Sequence, residues 1–539
     1  MFFDWNNIHL PIAIILSVVN AVLLCFLATK LLHIIQLSGY KISGFRAWLK
    51  DTKVKYIGRL AILSFLSLAC VLVTNALLDG FGEFYSYVGL IFYFYFTIVF
   101  IINVFRVPHK TPIKYTKRMS RLMVVTFLLI AGCNFGLIAF FSEFFSYIKF
   151  GIVALTPIFL PILVPVAHFI MVPIEEFIRL IYVTKAKRKL KNMPDLIKIG
   201  ITGSFGKTTT KHILNVMLSK KYNVCMSPHS FNTPMGLTKV ILNYLKPEHD
   251  ILIAEMGARQ LGDISYLCKI VKPMHGIITA VGNQHLATFG SPENISKEKF
   301  ELAKSITKGI VVFNAQNQGA MKLYEQYERE KIHCGIDNFD NFANITNVDV
   351  TTKGCSFDLT IDGKTIACRT KLLGKHNLED IAVSAGLAYK LGVKLNEIKS
   401  AISSLKPIPH RLELIQENGL TILDNSFNAS IESANSAFET LGMFEGNKII
   451  VTPGLVELGP KEYEANVTIG EMAAKVATKI VIVNKANKEA ITKGLLLGNY
   501  NEENILFAEN LEEAKKLLQT FVKTGDVILF QNDLPDNYT

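Results

Sequence analysis

The 539-residue sequence is poor in the patterns that mark several large protein classes. Its eight cysteines, at positions 25, 70, 133, 225, 268, 334, 355 and 368, form no Cys-x-x-Cys and no His-paired metal spacing. That excludes a zinc-ribbon framework and points to reduced, packed thiols. No Gly-x-Gly-x-x-Gly occurs, so no dinucleotide is inferred. No Ser-His-Asp or Cys-His arrangement has a useful spacing for nucleophilic catalysis. Met1 to Asn7 has no basic n-region and no clear cleavage site, so a cleaved signal peptide is not expected. No transporter-type signature sequence is present. Acidic residues are outnumbered, 45 to 57, giving a net charge of +12. The basic residues cluster beside apolar runs, which favours a membrane surface over nucleic acid as the partner.

What is abundant is hydrophobic. Half the residues are apolar, and most of the 36 phenylalanines lie before residue 180. The mean hydropathy is +0.31, high for a soluble enzyme. Five uncharged apolar stretches approach the ~20 residues that a bilayer span needs: Leu10–Ala28, Leu60–Leu78, Tyr85–Phe105, Leu122–Phe141 and Gly151–Val172. Basic residues fill the loops after the first, third and fifth. They are Lys30, Lys41, Arg46, Lys50, Lys53, Lys55 and Arg59; then Arg106, Lys110, Lys114, Lys117, Arg118 and Arg121; then Arg179, Lys185, Lys187, Arg188, Lys189 and Lys191. The other two loops carry Asp79 and Glu83, and Glu143 and Lys149. The positive-inside rule then puts the N-terminus outside and everything after residue 173 in the cytoplasm. Residues 1–190 read as a multi-pass α-helical transmembrane domain ending in a basic linker. Pro161, Pro165 and Pro173 are expected to kink the last span, and His168 is expected at a helix–helix contact.

After the linker the pattern changes to short apolar runs alternating with helical periodicity, which reads as α/β. Ile197–Ile201 leads into Gly203-Ser204-Phe205-Gly206-Lys207-Thr208-Thr209-Thr210, and a helical pattern follows. Strand, glycine turn, Lys-Thr and helix is the order that a phosphate-binding loop requires. Glycines let backbone N–H groups approach phosphates, and the helix N-terminus adds positive potential. Lys207 suits the β/γ-phosphates and the Thr208 hydroxyl suits Mg²⁺. Further runs at Ile251–Ala254, Gly276–Ala280 and Ile310–Phe313 complete a mostly parallel sheet over residues 195–408. Polar residues follow each run, at the strand ends where such sheets bind ligands: Glu255, His285, Asn314 and Asn317 among them. Residues 409–539 read as a second, smaller, Rossmann-like α/β domain, with strands at Thr421–Leu423, Lys448–Val451, Lys479–Val483, Asn504–Phe507 and Asp526–Phe530.

The motifs from residue 197 onward resemble those of the Mur ligase family, in order and spacing. They are Thr202 to Thr210, Glu255-Met256-Gly257, His285-Leu286 with Phe289-Gly290, Lys299-Phe300-Glu301, Gly374-Lys375-His376-Asn377, His410-Arg411-Leu412-Glu413, Asp424 to Ala429, and Glu457-Leu458-Gly459. They look most like the branch that adds D-alanyl-D-alanine. The resemblance implies ATP-driven amide formation on a bacterial cell-wall precursor peptide, with an amino acid or dipeptide as the amine. It implies that Gly203, Ser204, Gly206, Lys207, Thr208 and Thr209 hold phosphates, and that Thr208, Glu255 and His285 hold Mg²⁺. Lys299 matches a lysine carried as a carbamate, which turns a cation into an anionic metal ligand. Asn314, Asn317 and Asn377 match positions near adenine. Arg411 reaches the nucleotide from the last domain, beside Asp424. Asn232, Thr233 and Asn428 match positions facing substrate. On this resemblance Lys207, His285, Lys299 and Arg411 are the catalytic set.

Three departures stand out. The family's domain for the uridine diphosphate part of the substrate has no room before the phosphate loop. The usual Asp-Asp-Ser-Tyr-Asn-Ala-Asn is Asp424-Asn425-Ser426-Phe427-Asn428-Ala429-Ser430 here. The usual Lys-Gly-Ser near the end is replaced within Phe530-Gln531-Asn532-Asp533. The expectation is therefore a ligase in the bacterial inner membrane, multi-pass, with its catalytic domains cytoplasmic and membrane lipids as neighbours. A lipid-linked acceptor, and an ATP-binding membrane regulator that no longer ligates, are the competing expectations.

Overall fold

A computed structural model of the chain describes residues 10–77, 84–105, 112–144, 151–228, 230–282, 284, 286–417, 419–427, 430–456 and 458–532. It divides into two compact units, residues 1–180 and 181–534.

In the first unit, helices α1 (Leu10–Leu37), α2 (Ile42–Leu77), α3 (Phe84–Phe105), α4 (Lys117–Phe144) and the start of α5 (Thr156–Lys191) pack around apolar cores. Among the described residues four of them, α1, α2, α4 and α5, are long and apolar enough to cross a bilayer. In α3, a helix of 22 residues, the described apolar segment is Leu90–Asn103. Large side chains such as Ile15, Phe65 and Phe169 point outward, as lipid-facing residues do. Inside lies a fully buried polar network. Tyr93 Oη donates to Asn20 Oδ1 at 2.7 Å, Asn20 Nδ2 to Asn134 Oδ1 at 3.1 Å, and Thr156 Oγ1 to the same oxygen at 2.6 Å. It ties together α1, α3, α4 and α5. The helix α5 continues through Pro161, Pro165 and Pro173, each of which removes one backbone donor.

The second unit contains two sheets. The nine-stranded sheet has the order β2-β3-β1-β4-β5-β6-β7-β8-β9, from β1 (Ile197–Thr202), β2 (Val224–Met226), β3 (Ile251–Glu255), β4 (His275–Ile278), β5 (Val311–Asn314), β6 (Lys331–Ile336), β7 (Ala343–Thr351), β8 (Gly354–Ile361) and β9 (Lys364–Thr370). Pairing is parallel from β2 through β7 and antiparallel from β7 to β9. Helices α6 (Lys207–Leu218), α7 (Pro234–Asn243), α8 (Asp263–Val271), α9 (Leu286–Phe289), α10 (Pro292–Ser305), α11 (Gln318–Gln326), α12 (Lys375–Lys390) and α13 (Leu395–Ser403) cover it. Two apolar clusters, built on α6 with α12 and on α7, α8 and α10, bury both faces. Strands β3 and β5 are accordingly buried along their whole length rather than alternating. The last turns of α5 belong to this unit: Val183, Ala186 and Leu190 pack against Leu237, Val240 and Ile241. Lys189 Nζ donates to the carbonyls of Leu242 and Leu245, at 3.2 and 2.6 Å, neutralising the end of α7.

The six-stranded sheet has the order β10-β11-β15-β12-β13-β14, from β10 (Glu413–Glu417), β11 (Leu420–Asn425), β12 (Lys448–Thr452), β13 (Lys479–Val483), β14 (Ile505–Ala508) and β15 (Val527–Gln531). All neighbours pair parallel except β10 with β11. Helices α14 (Ile431–Gly442), α15 (Glu462–Ala474), α16 (Lys488–Leu497) and α17 (Leu511–Phe521) connect the strands.

Candidate active site

The loop between β1 and α6 is clamped by the exit of β4. A side chain at Gly203 would place its Cβ 2.0 Å from Thr279 Oγ1, so only glycine fits. Ser204 N donates to Ala280 O at 2.8 Å, and Ser204 Oγ to Gly282 O at 3.0 Å. Thr279 Oγ1 donates to Phe205 O. Gly206 caps α6 at φ +80°, a left-handed turn that aims the first helical N–H groups back over the loop. A Cβ there would meet Asp380 Oδ1 at 2.7 Å. Lys207 Nζ lies over the same loop, donating to Gly203 O at 2.6 Å and Ser204 O at 3.0 Å. Burial pulls its ammonium down to about 8, with Arg411 adding to the effect and Glu255 opposing it. Thr209 is buried beneath the loop.

Glu255, the last residue of β3, is the hub. Its side chain is buried, and every carboxylate oxygen is claimed. Thr208 Oγ1 donates to Oε2 at 3.1 Å, Lys211 Nζ sits 3.0 Å from Oε2, and Asn232 Nδ2 donates to Oε1 at 3.0 Å. Burial pushes the carboxyl upward, but Lys211, Lys207 and the hydrogen bonds outweigh it and hold it below the ordinary carboxylate range. Asn232 therefore belongs to the carboxylate cluster, and its carbonyl also accepts from Gly257 N. Thr233 is the N-cap of α7, accepting from Gly236 N at 3.2 Å ahead of Pro234.

Lys299 lies on the buried face of α10 and is 3% exposed. Among the described residues it makes no hydrogen bond or ion pair. Burial, with Lys207 second, drives its amine down to about 7, against the pull of Glu298 and Asp263. The adjacent Glu298 is committed elsewhere, accepting from the Gly262 and Ile264 amides at the start of α8. His285, also expected at this site, and Asn428 lie outside the described residues.

The adenine-side candidates gather at the end of β5. Asn314 Nδ2 donates to Glu379 Oε2 at 2.8 Å. Asn317 caps α11 and also accepts from Val281 N at 2.9 Å. Asn377 Nδ2 reaches Leu373 O at 2.6 Å, inside the first turn of α12. Residues to which the motif reading gave no role stand beside them. Lys211 is four residues beyond Lys207 on one face of α6, a spacing that signals a shared target. Asp380 accepts from Thr210 Oγ1 at 2.8 Å, and burial raises its carboxyl well above the ordinary range. His376 Nδ1 is 2.6 Å from Ser436 Oγ of α14, and burial, then Arg411, holds its ring neutral, at about 4.

Arg411 comes from the segment between the two sheets. Its neighbours His410 and Leu412 both have positive φ, 64° and 52°, an uncommon backbone for non-glycine residues. The guanidinium lies 4.4 Å over the Phe427 ring, and Nη1 donates to Phe427 O at 3.1 Å. Burial lowers its pKa, while Glu255 and Asp380 stabilise its charge, so the arginine acts electrostatically on the loop site. Asp424 faces the same side, holding His410 Nδ1 at 2.7 Å and Ser426 Oγ at 2.6 Å. Asn425 points the other way, into the sheet, donating to Gln531 Oε1 at 2.9 Å and Ser433 Oγ at 3.2 Å.

Together these residues place a glycine loop, a helix N-terminus, two lysines, an arginine and one carboxylate around the ends of β1, β3 and β4. That arrangement is suited to holding a polyphosphate. Among the described residues no cluster of three or more His, Cys, Asp or Glu side chains gathers. One carboxylate with a neighbouring hydroxyl still fits Mg²⁺, which takes few protein ligands and keeps water and phosphate oxygens.

Comparison with known proteins agrees with this geometry. The family profile described as "Mur ligase middle domain" matches residues 201–388, and "Mur ligase, glutamate ligase domain" matches residues 410–531. The UDP-N-acetylmuramoyl-tripeptide--D-alanyl-D-alanine ligase of Escherichia coli K12 is 30% identical over 283 residues, covering 52% of this chain. The alignment spans 62% of that relative's length. A crystal structure of MurF from Acinetobacter baumannii superposes with a TM-score of 0.60 at 25% identity, covering 66% of this chain and 77% of that one. MurF ligase from Thermotoga maritima, solved in complex with ADP, gives 0.58 at 28% identity, covering 66% and 80%.

Proposed function

We propose that this chain, which belongs to the Mur ligase family, is an ATP-dependent ligase forming an amide bond on a peptidoglycan-precursor peptide. Its domains are taken as residues 1–190, 195–408 and 409–539. D-alanyl-D-alanine is the amine of first choice, because the relatives above are named for that addition. The observation that carries the reading is the convergence of Thr208, Lys211 and Asn232 on the buried carboxylate of Glu255, directly under the glycine loop.

A carboxylate is a poor electrophile at neutral pH and must be activated. The γ-phosphoryl group of ATP passes to the acceptor carboxylate, giving an acyl phosphate and ADP. The amine then attacks the acyl carbon, phosphate leaves, and the amine's proton goes to solvent. Gly203, Ser204, Gly206 and Thr209 line the phosphate loop, and Lys207 and Arg411 stabilise the charge in transit. Thr208 and Glu255 are the residues that would hold Mg²⁺, with His285. That ion, when bound, screens the phosphate oxygens. Lys299 fits a carbamate because a buried amine near pKa 7 is largely neutral and nucleophilic towards CO₂. The family resemblance assigns Asn314, Asn317, Asn377 and Asp424 to the nucleotide, and Asn232, Thr233 and Asn428 to the acceptor. The basic loops favour ligase domains in the cytoplasm, beneath the inner membrane, with the N-terminus outside.

A second reading is favoured by the helices that occupy residues 10–191, immediately before the first family match: the acceptor is lipid-linked. Purified full-length protein with ATP and D-Ala-D-Ala, offered the UDP-linked tripeptide or its lipid-linked form, separates the two. Better turnover of the UDP-linked form overturns the second reading. Undiminished ATP-dependent product from Lys299→Ala overturns the ligase mechanism.

A further inference from the structure

One end of the first unit holds a polar pocket that the ligase reading does not use. The turn between α1 and α2 carries Gly39 and Tyr40, both at positive φ, 64° and 61°. This unusual backbone for tyrosine turns its carbonyl toward α5, where His168 Nε2 lies 3.1 Å away. A carbonyl only accepts, so Nε2 carries the ring proton and donates it. His168 Nδ1 is then left facing no partner, on a residue that is 6% exposed.

Arg118, in the first turn of α4, covers this site. Its guanidinium carbon stands 3.8 Å over the Tyr40 ring. Glu175 pairs with it by charge but without a hydrogen bond. That carboxylate is held by Arg121, through Nε at 2.8 Å and Nη2 at 2.7 Å, whereas Arg118 Nε is 3.8 Å from it, beyond hydrogen-bond length. Among the described residues Arg118 donates no hydrogen bond, and its side chain is 42% exposed. Five N–H donors in a planar fork therefore stand unspent at the mouth of a cavity lined by Tyr40, Leu122, His168, Met171 and Glu175. The cavity volume is about 10 Å³, room for a single oxygen atom rather than a whole headgroup. Beside it, α5 turns Phe169 and Val172 outward, 76% and 39% exposed.

The geometry points to a binding site for the phosphate of an anionic lipid. One headgroup oxygen, a hydroxyl, enters the cavity and donates to His168 Nδ1. The phosphate oxygens lie on the Arg118 fork, and the apolar tail runs along Phe169 and Val172. Arg121 is the positioning residue, keeping Glu175 from taking Arg118. This goes beyond the ligase reading and does not depend on turnover, so either can fail alone.

Full-length protein, delipidated in neutral detergent, is titrated with phosphatidylglycerol, phosphatidylcholine or inorganic phosphate and read by native mass spectrometry. Phosphatidylglycerol is expected to be retained as one tightly held copy, at least tenfold better than phosphatidylcholine. Equimolar inorganic phosphate is expected not to displace it. Arg118→Gln and His168→Phe should each weaken retention about tenfold, and Arg118→Lys less. Arg179→Gln, which removes the same charge from an arginine paired with Glu176, should leave retention unchanged. Wild-type retention by Arg118→Gln overturns the site. An equal loss in Arg179→Gln overturns it in favour of diffuse charge. Displacement by inorganic phosphate overturns the lipid and leaves a free-anion site. Circular dichroism checks that each variant is folded, and Arg118→Lys still decides the matter if Arg118→Gln is not.

Discussion

Lys299 gives the sharpest quantitative test. An exposed lysine titrates near 10.4, so at pH 7.5 only about 0.1% of it is neutral. Lys299, lowered to about 7 by burial and by Lys207, is about three-quarters neutral at the same pH. The amine that attacks CO₂ is thus enriched several hundredfold. Between pH 8 and pH 6 its neutral fraction falls from about 0.9 to about 0.1. If the carbamate is required, ligase activity falls about tenfold over that interval at fixed dissolved CO₂. Activity in degassed, bicarbonate-free buffer should recover on adding bicarbonate. The sign for stability is separate. The folded pKa lies below the unfolded one, so the folded protein binds fewer protons between about 7 and 10.4. The penalty of burying the ammonium is fully present below 7 and is relieved as pH rises through that window. Carbon-13 bicarbonate followed by NMR should show a carbamate carbonyl in wild type and not in Lys299→Ala. Equal activity with and without CO₂, together with no labelled carbonyl, refutes the reasoning.

Lys211→Met removes the main counter-charge from Glu255 and should destabilise the second unit by about 3–5 kcal/mol in chemical denaturation. Adding Glu255→Gln should restore much of that loss, and a purely additive double mutant would show that the two do not couple. Arg411→Ala should raise the KM for ATP about 10- to 100-fold, from about 1.5–3 kcal/mol of lost charge-assisted bonding, with Phe427→Ala smaller. An unchanged KM would remove the arginine from the nucleotide site. Asn425→Asp should destabilise by about 1–3 kcal/mol, since it buries a charge against Gln531 Oε1. Gln531→Lys in the same chain should recover the loss if the two strand ends act as a pair.

What was legible in the sequence was local. The glycine loop, the strands that enter it and the polar residues at their ends lie within a few residues of one another, and the ligand geometry of a parallel sheet places them on one edge. The antiparallel hairpins β7 to β9 were not read. Their first strand is interrupted by Asn347 at φ +51°, and its register with β8 shifts between Thr346 and Asp349. A bulge of that kind breaks the period-two pattern that marks a strand. Lys211 and Asp380 were missed for a different reason. Each is polar in a helical stretch and carries no signal until the fold supplies its partner, which for Asp380 and Thr210 lies 170 residues away in the chain.

The departure at Asn425 shows how strand geometry decides a question that motif comparison leaves open. Successive side chains on β11 face opposite sides of the sheet. Asp424 falls on the side of Arg411, His410 and Ser426, and Asn425 on the side of Gln531, its register partner on β15. The acid on the Arg411 side is therefore Asp424, whatever occupies the next position. Residue 425 instead sets the charge of the strand-end pair, and here that pair is neutral on both members. Gln531 Nε2 is left buried without a partner, so the neutral pair is incompletely satisfied. The two departures, at 425 and at 531, are thus one structural event. They alter the interior between β11, β15 and α14, and leave the phosphate loop, Glu255 and Lys299 untouched.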